Sequence, residues 1–147
     1  MLELPKTLLQ ELHRHAREGY PSEVCGLLLG LDGDVRQVTV TRRAANLRAD
    51  TTRDRYEIDP QDIVDGDREA RDRGLVLLGF YHSHPDHPAA PSHTDTERAW
   101  PWYSYLIVAT RAEEEGEATA WRREEEGMVE ESLRFISRGK VGESEHE

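Results

Sequence analysis

The chain has one cysteine, no long apolar run and a deficit of basic residues. Cys25 is the single cysteine in 147 residues, which excludes an internal disulfide and gives no indication of secretion. No apolar run approaches the roughly 20 residues that a membrane-spanning helix needs. The first residues also lack the basic and apolar regions of a signal peptide. We therefore expect a cytoplasmic protein.

Acidic residues outnumber basic ones, with 30 Asp and Glu against 19 Lys and Arg, and the formal net charge is −11. A nucleic-acid-binding surface requires a basic footprint, and anionic membranes attract basic segments, so neither partner is expected. The charge permits a basic protein partner or simply confers solubility. Because 147 residues match the usual size of one domain, we predict a single domain over residues 1–138. The charged residues 139–147 predict a disordered tail.

Apolar periodicity and turn residues divide the chain into helices and strands. Predicted helices cover residues 5–18, 60–73 and 94–100, and predicted strands cover residues 23–31, 35–41, 56–58, 75–81, 103–109, 118–122 and 128–136. Asp32-Gly33 is typical of a hairpin turn, and Asp59 followed by Pro60 is typical of a helix start. The polar residues 42–55 predict a long loop that can form one edge of a substrate groove. Helices interleaved with strands imply an α/β fold with a mixed sheet flanked by helices.

The strongest chemical pattern is a set of four polar residues between positions 82 and 95. His82 and His84 are two residues apart, seven residues separate His84 from Ser92, and two separate Ser92 from Asp95. Since residues two apart on a strand point to one face, the two imidazoles are expected to emerge together where the 75–81 strand ends. The proline-rich segment that follows cannot extend the sheet and must form a loop. Ser92 can then cap a short helix whose first turn contains Asp95.

Two imidazoles and one carboxylate form a plausible ligand set for a catalytic zinc ion. His82, His84 and Asp95 would hold one zinc ion per chain and leave a fourth position for water. Zinc lowers the pKa of a bound water to about 7, so that hydroxide becomes available at neutral pH. The pattern therefore predicts a zinc-dependent hydrolase.

The same spacing resembles the signature of the JAMM (MPN+) zinc metalloproteases, which is a distant Glu, then His-x-His, seven residues, Ser, two residues and Asp. His82, His84, Ser92 and Asp95 match it without a gap, and Glu23 matches the upstream acid. The resemblance extends from the first helix to the strand beyond Asp95. It is closest to the small bacterial members that act on ubiquitin-like sulfur-carrier proteins. It implies an MPN/JAB domain, with an architecture like that of the cytidine deaminases.

The resemblance also implies roles for two further residues. Glu23 is the candidate general base, and later the general acid toward the departing amine; without the downstream motif, a solvated linker residue would be the simpler interpretation. Ser92 is a candidate donor to the oxyanion of the tetrahedral intermediate. A helix N-cap without a chemical role is the alternative for Ser92, and one hydroxyl can serve both purposes.

The implied reaction is cleavage of a peptide or isopeptide bond at the C-terminal tail of a ubiquitin-like or sulfur-carrier protein. The alternative from another class is a non-catalytic MPN-type scaffold that binds partner proteins, and the presence of all five signature residues weighs against it. A nucleoside deaminase needs a later Cys-x-x-Cys pair, which a chain with one cysteine cannot supply. The oligomeric state stays open.

The single cysteine and three histidines outside the motif are assigned no chemistry. Cys25 shares a strand face with Glu23 and is interpreted as a small buried apolar residue. His87 is interpreted as a loop residue because it does not fit the ligand spacing. His13 and His15 lie two apart on the first helix, do not face one another, and are interpreted as surface or boundary residues.

Overall fold

The computed structural model describes residues 1–49, 56–112 and 115–137 of the chain. Within these ranges the elements follow one another as β1 (Leu2–Pro5), α1 (Lys6–Gly19), β2 (Cys25–Leu31), β3 (Arg36–Ala44), α2 (Pro60–Asp72), β4 (Val76–Pro85), α3 (His93–Arg98), β5 (Ser104–Thr110), β6 (Glu115–Glu124), β7 (Gly127–Glu131) and β8 (Leu133–Ile136). The sheet is mixed and is flanked by helices, which confirms the predicted α/β class.

The described strands form a single sheet in the order β7-β6-β5-β4-β2-β3-β1-β8. β4 is parallel to β5, and β1 is parallel to both β3 and β8, whereas the other neighbouring pairs are antiparallel. The hairpin predicted at Asp32-Gly33 is confirmed, because β2 and β3 pair across it. β2 and β4 are neighbours in the interior of the sheet, so the chain around residue 23 lies beside the chain around residue 83.

A helix covers each face of the central strands, which explains why these strands are apolar without alternation. Leu28 of β2 packs in one core cluster with Leu12 of α1. Leu27 and Leu29 point to the other face and pack in a second cluster with Ala70 of α2. Leu27, Leu28 and Leu29 are fully buried, whereas Leu31 at the end of β2 is exposed. The two helices therefore fix the position of β2, and with it the chain that enters β2 from residue 23.

The start of α2 agrees with the prediction. The Asp59 carboxylate accepts a hydrogen bond from the Gln61 N–H at 3.0 Å, and Pro60 is the first helical residue. The cap satisfies one of the N–H groups that the first turn leaves without a helical partner.

Strand β1 was absent from the prediction. Its four residues are too few for a periodic pattern, and it is held by β3 and β8, which are distant in sequence. The predicted 128–136 strand was also wrong in its continuity. It breaks at Ser132 into β7 and β8, which pair with β6 and β1 respectively.

Two strands near the site extend beyond the predicted bounds. β3 continues to Ala44, so residues 42–44 belong to the sheet and not to the predicted loop. β4 continues to Pro85, because β5 supplies pairing partners as far as Thr110. The predicted 56–58 strand is reduced to an isolated bridge between Ile58 and Asn46.

Parts of two predictions lie outside the described residues. These are residues 50–55 of the predicted loop and the tail over residues 139–147. The boundary of the single domain at residue 138 and the disorder of the tail stay predictions. In the part of the chain that the structure describes, no helix is long and apolar enough to cross a membrane.

Candidate active site

The two histidines of the motif lie inside β4, not beyond its end as predicted. His82 is in register with Cys25 of β2 and with Ile107 of β5, and His84 is in register with Ala109. Both side chains are buried, with exposed fractions of 1% and 5%. Strand pairing therefore fixes the backbone of both histidines, and their spacing along β4 places the imidazoles on one face.

A capping box orients the third residue of the motif. After Pro85 the chain leaves the sheet, and it comes back to the two histidines at Ser92, which is the N-cap of α3. The Ser92 hydroxyl oxygen accepts a hydrogen bond from the Asp95 N–H at 3.0 Å, and Asp95 Oδ2 accepts one from the Ser92 N–H at 2.9 Å. These two bonds form a capping box over the four residues from Ser92 to Asp95. The capping box turns the Asp95 carboxylate toward the histidines.

Three potential ligand atoms converge at this point. Asp95 Oδ2 lies 3.2 Å from His82 Nε2 and 3.0 Å from His84 Nε2, and the two Nε2 atoms are 3.1 Å apart. The ligand atoms of these three residues all lie within 4.8 Å of one another. The structure thus brings together the three residues that the sequence pattern selected.

The tautomer of His84 is fixed by its second nitrogen. Its Nδ1 lies 2.9 Å from the carbonyl oxygen of Pro88, which can only accept a hydrogen bond, so Nδ1 carries the proton. In the neutral ring, Nε2 then presents its lone pair to Asp95 Oδ2. Lone pairs in such close contact require a shared proton or metal ion, and this group of residues could hold a metal ion.

The electrostatics of the three groups agree with this arrangement. Burial lowers the pKa of His82. Burial also disfavours a charged His84, but its hydrogen bonds to Asp95 and to the Pro88 carbonyl raise its pKa. Burial opposes the ionised form of Asp95, yet the adjacent imidazoles and the Ser92 N–H hold its pKa well below the usual range. Asp95 is therefore an anion that is available to a metal ion at neutral pH.

Glu23 lies just before β2 and faces the same site. Its side chain is buried, and it lines a cleft of about 310 Å³ together with His84 and Ser92. We call this the Glu23 cleft; His87, Pro88 and Ala90 also line it. The structure therefore places the predicted base on the same side of the sheet as the predicted ligands.

Two side chains that the sequence analysis did not select hold the backbone around Glu23. Asn46 Nδ2 donates to the Glu23 carbonyl oxygen at 2.9 Å. The Val24 N–H donates to the Ser83 hydroxyl at 2.9 Å, and the Ser83 N–H donates to the Val24 carbonyl at 3.0 Å. Ser83 lies between the two histidines, so it links the backbone beside Glu23 directly to the strand that carries them.

A third unselected residue, Tyr56, contacts the site from another direction. Its ring stacks on His82 with centroids 4.3 Å apart and an interplanar angle of 20°. No local pattern marks Tyr56 or Asn46, since both are far from the motif in sequence. For Ser83 the only available signal is its position between His82 and His84.

The positions of Cys25 and of three histidines outside the motif agree only in part with their interpretation. Cys25 is fully buried, and burial raises the pKa of its thiol to about 12, as expected for a small apolar residue. His87 lines the Glu23 cleft but lies outside the converging group, with its ring centroid 6.5 Å from that of His84. His13 is buried, and the Nδ1 of His15 lies 2.7 Å from the Tyr81 hydroxyl. The expected surface or boundary position was therefore wrong for His13.

The family model for prokaryotic homologs of the JAB domain matches residues 5–124 of the chain. The chain belongs to this family. The resemblance inferred from Glu23 and the residue 82–95 motif is thereby confirmed. Among solved structures, this JAB-domain protein is similar to the solution structure of a protein from Desulfitobacterium hafniense, with a TM-score of 0.85 and 32% identity. The match covers 99% of this chain and 100% of that one.

Two curated relatives are enzymes by name. The desampylase of Haloferax volcanii is 46% identical over 100 residues, which are 65% of this chain and 70% of that protein. The CysO-cysteine peptidase of Mycobacterium tuberculosis is 29% identical over 130 residues, which are 88% of this chain and 87% of that protein. The comparisons therefore confirm both the expected family and the expected fold.

Proposed function

We propose that this JAB-domain protein is a zinc-dependent hydrolase that cleaves a peptide or isopeptide bond at the C-terminal tail of a ubiquitin-like or sulfur-carrier protein. The observation that carries the proposal is the convergence of three buried ligand atoms beside a cleft lined by Glu23. The name of the mycobacterial relative gives CysO-cysteine as its substrate, and we extend this class of substrate to the present chain. A cytoplasmic location stays a prediction.

The donor set fits zinc. Two imidazole nitrogens and one carboxylate oxygen leave one position open, as in catalytic zinc sites. His84 and Asp95 are each fixed by a further hydrogen bond, to the Pro88 carbonyl and from the Ser92 N–H respectively, and such supporting bonds orient metal ligands. When bound, zinc lowers the pKa of a water molecule to about 7 and polarises a substrate carbonyl.

Glu23 supplies the proton transfers in this proposal. Its carboxylate accepts the proton of the attacking water and then returns it to the amine that leaves. Because hydrogen bonds hold both the C=O and the N–H of the peptide group between Glu23 and Val24, the backbone that carries the carboxylate is positioned before substrate arrives. This preorganisation favours the transition state over the free substrate.

Ser92 can cap the helix and act on the substrate with one hydroxyl. Its oxygen uses a lone pair to accept the Asp95 N–H, which leaves the hydroxyl proton available as a donor. The side chain also lines the Glu23 cleft. A donor aimed at the developing oxyanion contributes about 3 kcal/mol to transition-state stabilisation.

The decisive experiment compares the wild type with Glu23→Gln. The zinc-loaded protein is incubated with sulfur-carrier proteins that bear C-terminal extensions, and the products are read by intact mass. We expect Glu23→Gln to retain about one zinc per chain while turnover falls by at least about 100-fold, because the amide cannot transfer the proton.

The exposed Glu125 in the β6–β7 turn provides a matched control, and Glu125→Gln should cleave like the wild type. Undiminished cleavage by Glu23→Gln would contradict the proposed mechanism. Zinc content distinguishes the non-catalytic scaffold from the hydrolase. If the wild type binds no zinc at high zinc concentration, the result supports the scaffold.

A further inference from the structure

A second and larger cleft meets the ligand set from the side of Asp95. It has a volume of about 530 Å³ and an apolar wall formed by Tyr56, Ile58, Ile63, Phe80, Trp100 and Tyr105. We call it the aromatic cleft. Among the described residues, it shares no lining residue with the Glu23 cleft: His84 lines the latter, and Asp95 lines the former. The three converging ligand atoms therefore lie between the two clefts.

The walls of the aromatic cleft are preformed. The rings of Trp100 and Tyr105 each pack against Phe80, with centroid separations of 5.8 Å and 5.7 Å. The backbone N–H of Trp100 donates to the Tyr105 hydroxyl at 2.7 Å, and this bond fixes the backbone that carries the indole. Trp100 nevertheless stays 52% exposed. A rigid aromatic wall that is partly exposed among the described residues offers contact area to a ligand at little entropic cost.

The charged groups at the rim already have partners. Glu57 pairs with Arg48 at 3.1 Å, and the Arg98 guanidinium donates to the Tyr56 carbonyl at 3.4 Å. Glu97 lies 3.1 Å from the imidazole of His93. The cleft consequently presents mainly apolar surface, and it suits a large apolar side chain better than a charged one.

The position of Glu23 gives the direction in which a substrate crosses the site. The leaving amine must come within hydrogen-bond reach of the group that protonates it, so it lies in the Glu23 cleft. The acyl portion then extends past the ligand atoms toward Asp95 and the aromatic cleft. Tyr56 joins the two regions, since it stacks on His82 and also lines this cleft.

We propose that the aromatic cleft is a specificity subsite for a large apolar side chain, such as Leu or Phe, on the acyl side of the scissile bond. This inference rests on the proposed function, because that function supplies the direction of the chain. Burial of one such side chain should favour substrates that carry it by roughly 10- to 100-fold in kcat/KM over those with Ser at the same position.

Hydrolysis and binding are measured separately with one set of peptides. Each peptide ends in Gly-Gly, and a single Leu is moved through the four preceding positions of a Ser background. As coumarin amides, the peptides report kcat/KM with the zinc-loaded wild type. As free acids, they report Kd by calorimetry with zinc-loaded Glu23→Gln. We expect one position at which Leu improves both quantities by roughly 10- to 100-fold.

Two tryptophan variants provide the matched comparison. Trp100→Ala should reduce the ratio between the Leu and Ser peptides about tenfold or more. Trp102 is 43% exposed and does not line the cleft, so Trp102→Ala should preserve that ratio. Equal Kd values for the Leu and Ser peptides at every position, or an unchanged ratio in Trp100→Ala, would overturn the subsite.

The proposed function fails in a different way. If the wild type hydrolyses neither these amides nor an extended sulfur carrier, the hydrolase is refuted. The Kd series still decides whether the aromatic cleft selects an apolar side chain.

Discussion

Replacing Ser83 by alanine tests how the fold positions Glu23, the proposed general base. In a regular antiparallel pair, the Val24 N–H would bond to a backbone carbonyl of β4. Here it bonds instead to the Ser83 hydroxyl at 2.9 Å. Ser83 is 1% exposed and Val24 is 8% exposed, so water cannot readily replace a lost acceptor. The side chain of Ser83 therefore determines where the chain beside Glu23 lies.

The expected loss of stability follows from this single bond. Ser83→Ala leaves a buried N–H without its acceptor, which costs about 1–3 kcal/mol of unfolding free energy. The Ser83 N–H still bonds to the Val24 carbonyl, so β2 remains paired. The peptide group between Glu23 and Val24 is then held only by the bond from Asn46 to its carbonyl. It can shift, and a displacement of about 1 Å can cost roughly 100-fold in rate. We expect kcat to fall 10- to 100-fold while zinc affinity stays near that of the wild type.

The assay combines urea unfolding of the metal-free protein, zinc titration, and kcat and KM for tail cleavage. Ser104→Ala is the matched control, because Ser104 is a fully buried serine whose hydroxyl donates to Glu131 at 2.8 Å, away from the ligand set. It should lose stability without a comparable loss of kcat. Ser83→Thr retains the hydroxyl and should recover most of the rate. The reasoning is refuted if Ser83→Ala and Ser104→Ala lose stability alike and both keep the kcat of the wild type.

Three other perturbations have defined outcomes. Asp95→Asn removes the anionic ligand and should weaken zinc binding by roughly 100-fold or more, measured by competition with a chromophoric chelator; equal affinity would contradict its role as a ligand. Gly26→Ala would bring a methyl group into steric clash with the Tyr81 ring and the Arg42 carbonyl oxygen. The free energy of unfolding should therefore fall by about 1–3 kcal/mol. Burial lowers the pKa of His15 from 6.5 to about 4, and the unfolded chain therefore binds more protons between these values. Stability should fall as the pH drops from 6.5 to 4, by about 1–2 kcal/mol after allowance for partial exposure. His15→Gln should flatten this part of the metal-free pH–stability curve relative to the wild type, and identical curves would contradict the assignment.

Local patterns predicted the elements that neighbouring residues determine. The start of α2 at Asp59-Pro60 was predicted because its cap is formed within three residues. β1 could not be predicted, since its four residues become a strand only by pairing with β3 and β8. The same reason explains the length of β4, whose last residues up to Pro85 pair with β5. Propensity is a weak guide where pairing with a distant strand decides the conformation.

The sequence by itself determined which three candidate ligand residues converge. Two histidines two apart on a strand share a face, and the capping box between Ser92 and Asp95 is closed within four residues, so both geometries follow from local backbone structure. Only the tertiary structure decided what surrounds them. Ser83 and Val24 are 59 positions apart, and the contact between them exists because β2 and β4 are adjacent in the sheet. The stacking of Tyr56, which precedes α2, on His82 of β4 also joins distant parts of the chain. Such contacts depend on strand order and register, which no short stretch of sequence contains.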